Sequence, residues 1–220
     1  MKFRDVAGGR SVAGPSLDED DLELSPCSFQ GEFDVDRFYV RGGDSSKSEG
    51  RGSITHSIVS GADLSGAIIG PLSVSDARLE SVDLSNTAIQ QATLRRVEWL
   101  HGRAIGLRLS VERLEDVYVE GVRLDYSAIH VERVKGLVVF CNCSFREAEI
   151  SGDLSNFVFD ECGLVGARFA ARIAKGADLK TSRLDDAHGL LSLRGATITP
   201  EQALSIAGQL AGEAGLSIES

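Results

Sequence analysis

Glu112 and Glu132 stand twenty residues apart in matched surroundings, LSVERLEDV (109–117) and IHVERVKGL (129–137). In a fold that stacks the two segments, facing carboxylates would share a proton and act as acid and base. The residues have a plainer reading. Val111 and Val131 point inward and the glutamates outward, with Arg113 and Arg133 as surface partners, because unpaired charges in an apolar interior are costly. The other chemistry-bearing residues are dispersed. Cys27, Cys141, Cys143 and Cys162 form no C-x-x-C pair, and the histidines (56, 101, 130, 188) do not cluster. That spacing argues against a zinc site. No phosphate-binding glycine loop or nucleophile elbow is present. The expectation is a protein that is not an enzyme, without metal or cofactor.

The twenty-residue interval has a deeper source. Large apolar residues recur every fifth position, among them Leu64, Leu79, Leu84, Leu94, Trp99, Leu109 and Leu124, with no polar residue in the series from Ile54 to Val139. The phase slips by one after Val139, through Phe145 and Ile150. It resumes with Leu154, Phe159, Leu164, Phe169, Leu179 and Leu184, and Leu193 and Ile198 lie on a further phase. A period of five suits neither a helix of period 3.6 nor a strand of period 2. It suits a chain that turns a corner every five residues, so that every fifth side chain meets one axis. Two positions earlier runs a series of small residues, such as Ala62, Ala67, Ala77, Thr87 and Ala92, where a corner crowds that axis. Four corners close a coil of twenty, and coils stacked at about 4.8 Å give about seven coils over residues 54–198. Cys143 and Cys162 then occupy the small position of adjacent coils, as reduced space-filling thiols or as a disulfide across the stack. Trp99, followed in the series by Ala104, reads as large–small compensation within a coil; the alternative is a ligand-stacking ring.

The segments A-D-L-S-G (62–66), V-D-L-S-N (82–86) and A-D-L-K-T (177–181) resemble the pentapeptide-repeat proteins, over about two thirds of the chain. The resemblance implies an all-β fold, a right-handed, four-sided parallel β-helix with a C-terminal capping helix.

Three parts are expected. Residues 1–52 hold the acidic run LDEDDLEL (17–24), an aromatic stretch (29–40) that reads as an irregular first coil or capping strand, and the Gly/Ser-rich RGGDSSKSEGRGS (41–53), read as a linker or loop. The first sixteen residues are expected to be disordered. Residues 53–198 are the β-helix. Residues 199–220 switch to helical spacing, with Thr199 as N-cap, Pro200 at the first helical position and Gln202 completing a capping box. Ala203, Ile206, Ala207, Leu210 and Ala214 form one apolar stripe, Gly215 is the stop, and Leu216 and Ile218 suit a short strand. This ending resembles that of the quinolone-resistance pentapeptide proteins of the Qnr and MfpA type. That implies an end-to-end homodimer through Ala203, Ile206, Ala207, Leu210 and Leu216; the alternative is a lid on a monomer.

The same resemblance implies a protein partner, gyrase or a related type II topoisomerase, bound by a rod that mimics duplex DNA. The formal charge of −10 suits that, but residues 53–198 carry 16 basic and 19 acidic residues, so the rod itself is nearly neutral. Asp63 and Asp83 share a stacked column with Arg103 and Arg123, so that face changes sign. The competing reading is a structural or scaffolding rod with another protein partner. No basic stripe favours direct nucleic-acid binding. No apolar run reaches the length of a membrane span, and the N-terminus lacks a signal-peptide core, so a cytoplasmic location is expected.

Overall fold

The structure, a computed structural model, describes residues 3–6, 9–25 and 28–217. Cys27 and Ile218 lie outside the described residues. The chain winds as a parallel β-helix with four faces. One coil shows the plan. Strand β8 (Ile68–Glu80) bends twice and supplies three faces, and residues 82–86 supply the fourth as a turn-rich segment joined by single bridges to the coils above and below. Strands β9 (Ala88–Leu100) and β10 (Arg108–Glu120) repeat the plan one and two layers on. They pair in parallel register, Ile69 to Ile89 to Leu109 and Leu79 to Trp99 to Val119. Backbone donors and acceptors are thus satisfied between coils rather than within them. Strands β11 (Ala128–Val131), β12 (Val134–Cys141), β13 (Glu149–Asp153), β14 (Phe157–Asp160) and β15 (Arg168–Ile173) carry the stack onward.

The phase slip falls earlier than the sequence pattern placed it. Leu114 pairs with Val134, but Val117 pairs with Val138, so the extra residue enters between Lys135 and Val138. Val138 and Phe140 therefore face the core, and Val139 faces outward. Gly136 (φ 83°) turns that corner, where the Asp116 carboxylate accepts the Leu137 N–H at 3.2 Å. The next coil is one residue short, Val138 pairing with Phe157, and the register is restored.

The coil also begins before the repeat does. Strands β3 (Glu23–Ser25), β4 (Gly31–Asp36), β5 (Phe38–Arg41), β6 (Glu49–Thr55) and β7 (Ile58–Ser60) belong to the same parallel sheet, through pairs β3–β5, β5–β7, β4–β6 and β6–β8. Phe29 and Phe33 meet edge to face at 5.3 Å and plug the interior at this end. The glycines and serines of 41–53 are a packed layer rather than a linker. A Cβ on Gly50 would stand 2.3 Å from the Phe29 carbonyl oxygen, and one on Gly52 1.8 Å from that of Phe33. Ser45 is buried and its hydroxyl accepts the Phe29 N–H at 3.0 Å. Among the described residues β3 and β4 each have a partner on one side only, so this end of the sheet is an open edge. Glu32, Asp34 and Asp36 project from it, exposed.

The expectation of disorder over the first sixteen residues does not hold for those described. Strands β1 (Phe3–Val6) and β2 (Arg10–Ala13) form an antiparallel hairpin, separate from the solenoid sheet. It straps across the outer surface of the third face, with Val12, Ala13, Gly14 and Pro15 buried. Burial of Val12 alone contributes about 1.5–3 kcal/mol.

At the far end, the capping box on Thr199 forms as the sequence predicts, but the helix is broken. Segments α1 (Pro200–Ser205) and α2 (Ala207–Glu213) meet at Ile206 (φ −97°, ψ 4°), the one fully buried residue of the apolar stripe. Gly208 and Gly212 leave α2 with low intrinsic propensity, so the packing of Ile206 decides the geometry. The end is a Schellman motif: Leu216 N–H donates to Ala211 O (2.8 Å) and Gly215 N–H to Gly212 O (3.0 Å).

Candidate functional site: faces and ends of the rod

The interior offers no acid–base pair at the column first singled out. Ala92, Val111, Val131, Gly152 and Ala171 stack there, with Val111 and Val131 wholly buried. Glu112 and Glu132 are exposed. Glu132 lies 3.0 Å from His130 Nε2, whose Nδ1 is 2.9 Å from Ser151 Oγ. This is cross-strand pairing on an open surface, of small energetic weight. Cys141, Cys143 and Cys162 are free thiols. Cys162 donates to the carbonyls of Phe140 and Asp160 at 3.4 Å. The Cys143 thiol beside it and its own burial push the Cys162 thiol up, so it is a neutral, poor nucleophile at pH 7. Among the described residues no group of histidine, cysteine and carboxylate side chains is placed to hold a metal ion.

Leu64, Leu84, Trp99, Leu124, Phe159, Leu164, Phe169, Leu179 and Leu184 are buried in one continuous core. Leu79, Leu94 and Leu109 are half-buried and pack on the same core. They border an apolar cavity of about 70 Å³ that Trp99 also lines. Trp99 itself is buried in this core.

The fourth face explains the recurrent aspartate. In Asp44, Asp63 and Asp83 the carboxylate accepts the N–H two residues on, at 2.8–2.9 Å, and Asp178 on the third face does the same at 3.1 Å. Each closes a local turn. These charges are committed to the backbone. The column Asp63, Asp83, Arg103, Arg123 does stack, and Arg103 reaches Asp83 at 3.6 Å.

The third face is different. Its outward column, in stacking order, is Tyr39, Ile58, Arg78, Glu98, Tyr118, Val139, Val158, Asp178. Three successive apolar residues face what would be solvent, and the hairpin covers them. Val12 packs with Tyr118, Leu137, Val139 and Val158 as a second, smaller core outside the coil. Around it stand charges. Arg4 reaches Glu98 and Glu120 at 3.2 Å each and lies over the Tyr118 ring at 4.2 Å. Arg10 reaches Asp178 at 3.0 Å. Farther along, Ser16 N–H donates to buried Asp76 (3.0 Å), and Glu19 meets Arg78 (2.9 Å).

The C-terminal end is closed by side chains. Gln202 Nε2 donates to the carbonyls of Leu179 and Ser182, 2.7 Å each. Glu213 accepts from the N–H groups of Gly189, Leu190 and Leu191. Of the stripe residues, Ile206 is buried and Leu210 half-buried, while Ala203, Ala207 and Ala214 are exposed, as is Leu216 of the expected dimer contact. Leu204, which the stripe omitted, is 79% exposed, Leu216 65% and Leu191 43%.

A side-chain period of five and a four-faced stack of coils define the fold class: this is a four-sided parallel β-helix. Among solved structures it is similar to QnrB1, a plasmid-mediated fluoroquinolone resistance protein (18% identity, 90% of this chain and 98% of that one, TM-score 0.45). It is also similar to HetL of the cyanobacterium Nostoc sp., a pentapeptide repeat protein involved in heterocyst differentiation regulation (14% identity, 77% and 89%, TM-score 0.34). A third is Rfr23 of the cyanobacterium Cyanothece (13% identity, 82% and 89%, TM-score 0.18). No model of a known protein family matches the sequence, and no curated protein does.

No helix among the described residues is long and apolar enough to cross a membrane.

Proposed function

We propose that the chain is a non-catalytic rod that works by protein contact, joined end to end as a homodimer through its C-terminal cap. The observation that carries this reading is the exposure of Leu191, Leu204 and Leu216 at that end, three of the eight large apolar side chains exposed among the described residues. Exposed leucines on a terminal helix favour a protein interface. The proposed target is gyrase or a related type II topoisomerase, following the likeness of the C-terminal ending to quinolone-resistance proteins. The mixed signs of the fourth face, and its aspartates committed to turns, favour a target bound by specific contacts over a rod with the field of duplex DNA. The alternative is a scaffold for a different protein. We place the protein in the cytoplasm, as its free thiols suit.

Two measurements test this. Sedimentation of the wild type should give a dimer, and Leu204→Asp with Leu216→Asp a monomer of unchanged melting temperature; a wild-type monomer at all concentrations removes the dimer. A gyrase supercoiling assay, with and without a fluoroquinolone, should show inhibition or protection. No effect across a wide concentration range removes the topoisomerase and leaves the scaffold.

A further inference from the structure

The third face carries a feature that the rod's construction does not need. A coil is complete once its inward residues are packed, and outward columns elsewhere are largely polar. Here Tyr118, Val139 and Val158 stack outward on three consecutive layers, with Leu100 and Cys141 packed beside them. Glu98 and Glu120 stand at one end and Asp178 at the other. The result is an apolar strip with acidic ends, about 19 Å from the Glu98 layer to the Asp178 layer at about 4.8 Å per layer. The occupant has complementary chemistry: a β-branched residue, Val12, over the strip, and an arginine at each end, Arg4 and Arg10. It is not part of the solenoid sheet, and a two-stranded hairpin has little stability of its own. What holds it is the groove.

The geometry points to the third face as a binding groove for a short β-hairpin or strand with cations flanking a β-branched residue. The chain's own N-terminal hairpin fills this groove in cis and competes with a partner segment of the same kind. This rests on the reading of the rod as a protein-contact device and gives that device a site and a partner chemistry. The hairpin sets a threshold, since a partner binds only in the fraction of time the groove is open, and its apparent affinity falls by that fraction. Ion pairs at both ends make the closure sensitive to salt.

A labelled peptide of residues 1–16, offered to the full-length protein, tests this by fluorescence anisotropy. The proteins are wild type, the double variant Arg4→Glu/Arg10→Glu, and Val12→Asp, each checked for melting temperature and for amide exchange at the hairpin. The expected result is saturable binding to both variants about tenfold or more tighter than to wild type, weakening as salt rises. If the variants keep their melting temperature, expose the hairpin amides and still bind no peptide, the groove is not a recognition surface and the proposal fails. If releasing the hairpin melts the β-helix, the hairpin is part of the fold and the proposal fails in that way instead. Neither outcome depends on gyrase or on the dimer, so it stands apart from failure of the functional reading.

Discussion

The indole of Trp99 occupies the place where a side chain on Gly102 would begin. A Cβ added to Gly102 would stand 2.3 Å from Trp99 Nε1 and 2.9 Å from the Val82 carbonyl oxygen. The partner that makes room for the largest core side chain is thus Gly102, three residues on, ahead of the Ala104 that the five-residue series suggests. Gly102→Ala should destabilise the protein by about 1–3 kcal/mol in urea melts. Adding Trp99→Leu should recover most of the loss; an undisturbed single variant would refute the pairing.

Tyr126 sits at a corner with φ 58°, exposed, where other coils use glycine, as at Gly106 (φ 71°) and Gly166 (φ 68°). A left-handed backbone costs a non-glycine residue about 1–3 kcal/mol, against about 0.5–1 kcal/mol for the extra freedom of an unfolded glycine. Tyr126→Gly should therefore raise stability by about 1 kcal/mol, contrary to the usual effect of losing a tyrosine. Thermal denaturation decides it.

Asp76 joins a corner to the hairpin. Burial acts to push its carboxyl up. The Arg96 guanidinium (Nε at 2.6 Å), the Ser16 N–H and Arg95 outweigh it and hold the carboxyl below the usual carboxylate range. The folded state thus prefers the charged form. The contribution is full above the unfolded value of about pH 4 and fades as pH falls through the lower folded value. Hydrogen exchange should show the Ser16 amide losing protection in that acid window. Asp76→Asn should remove the pH dependence, and an unchanged profile would count against the assignment.

Glu213 is the last stitch of the cap. Glu213→Ala leaves the N–H groups of Gly189, Leu190 and Leu191 without their carboxylate, at a cost of about 1–3 kcal/mol. Amide exchange should quicken at 189–191 and in α2, while β8 to β10 stay protected.

The repeat was legible because it is enforced by geometry: a side chain that must meet the axis every five residues cannot be polar, and Leu64, Leu124 or Leu164 says so without a structure. The Glu112 and Glu132 columns could be weighed on desolvation alone, and the valines beside them are what turned inward. Three features were less visible. Residues 41–53 have the composition of a linker, yet Gly50 and Gly52 are small because Phe29 and Phe33 press on them, a contact between segments about twenty residues apart. Val139 continues the five-residue series yet faces out, because one residue had already been inserted before Val138. The hairpin in particular resists local reading. Arg4, Val12 and Arg10 look like an unstructured head until Glu98, Tyr118 and Asp178, far along the chain, supply their partners. A run of outward apolar residues at Tyr118, Val139 and Val158 was the available signal, hidden by the displaced register.

The open edge at β3 and β4 has one further consequence. A stack of parallel coils is a template, and a terminal layer that, among the described residues, is paired on one side only invites the next molecule to dock as one more layer, which would turn a rod into a growing fibre. Glu32, Asp34 and Asp36 stand on that layer, so a second copy approaching edge to edge meets its own carboxylates. The opposite terminus is shut by Gln202 and Glu213, which occupy backbone groups that propagation would need. Exposed carboxylates at one end and occupied backbone groups at the other both disfavour elongation, which favours discrete particles over fibres.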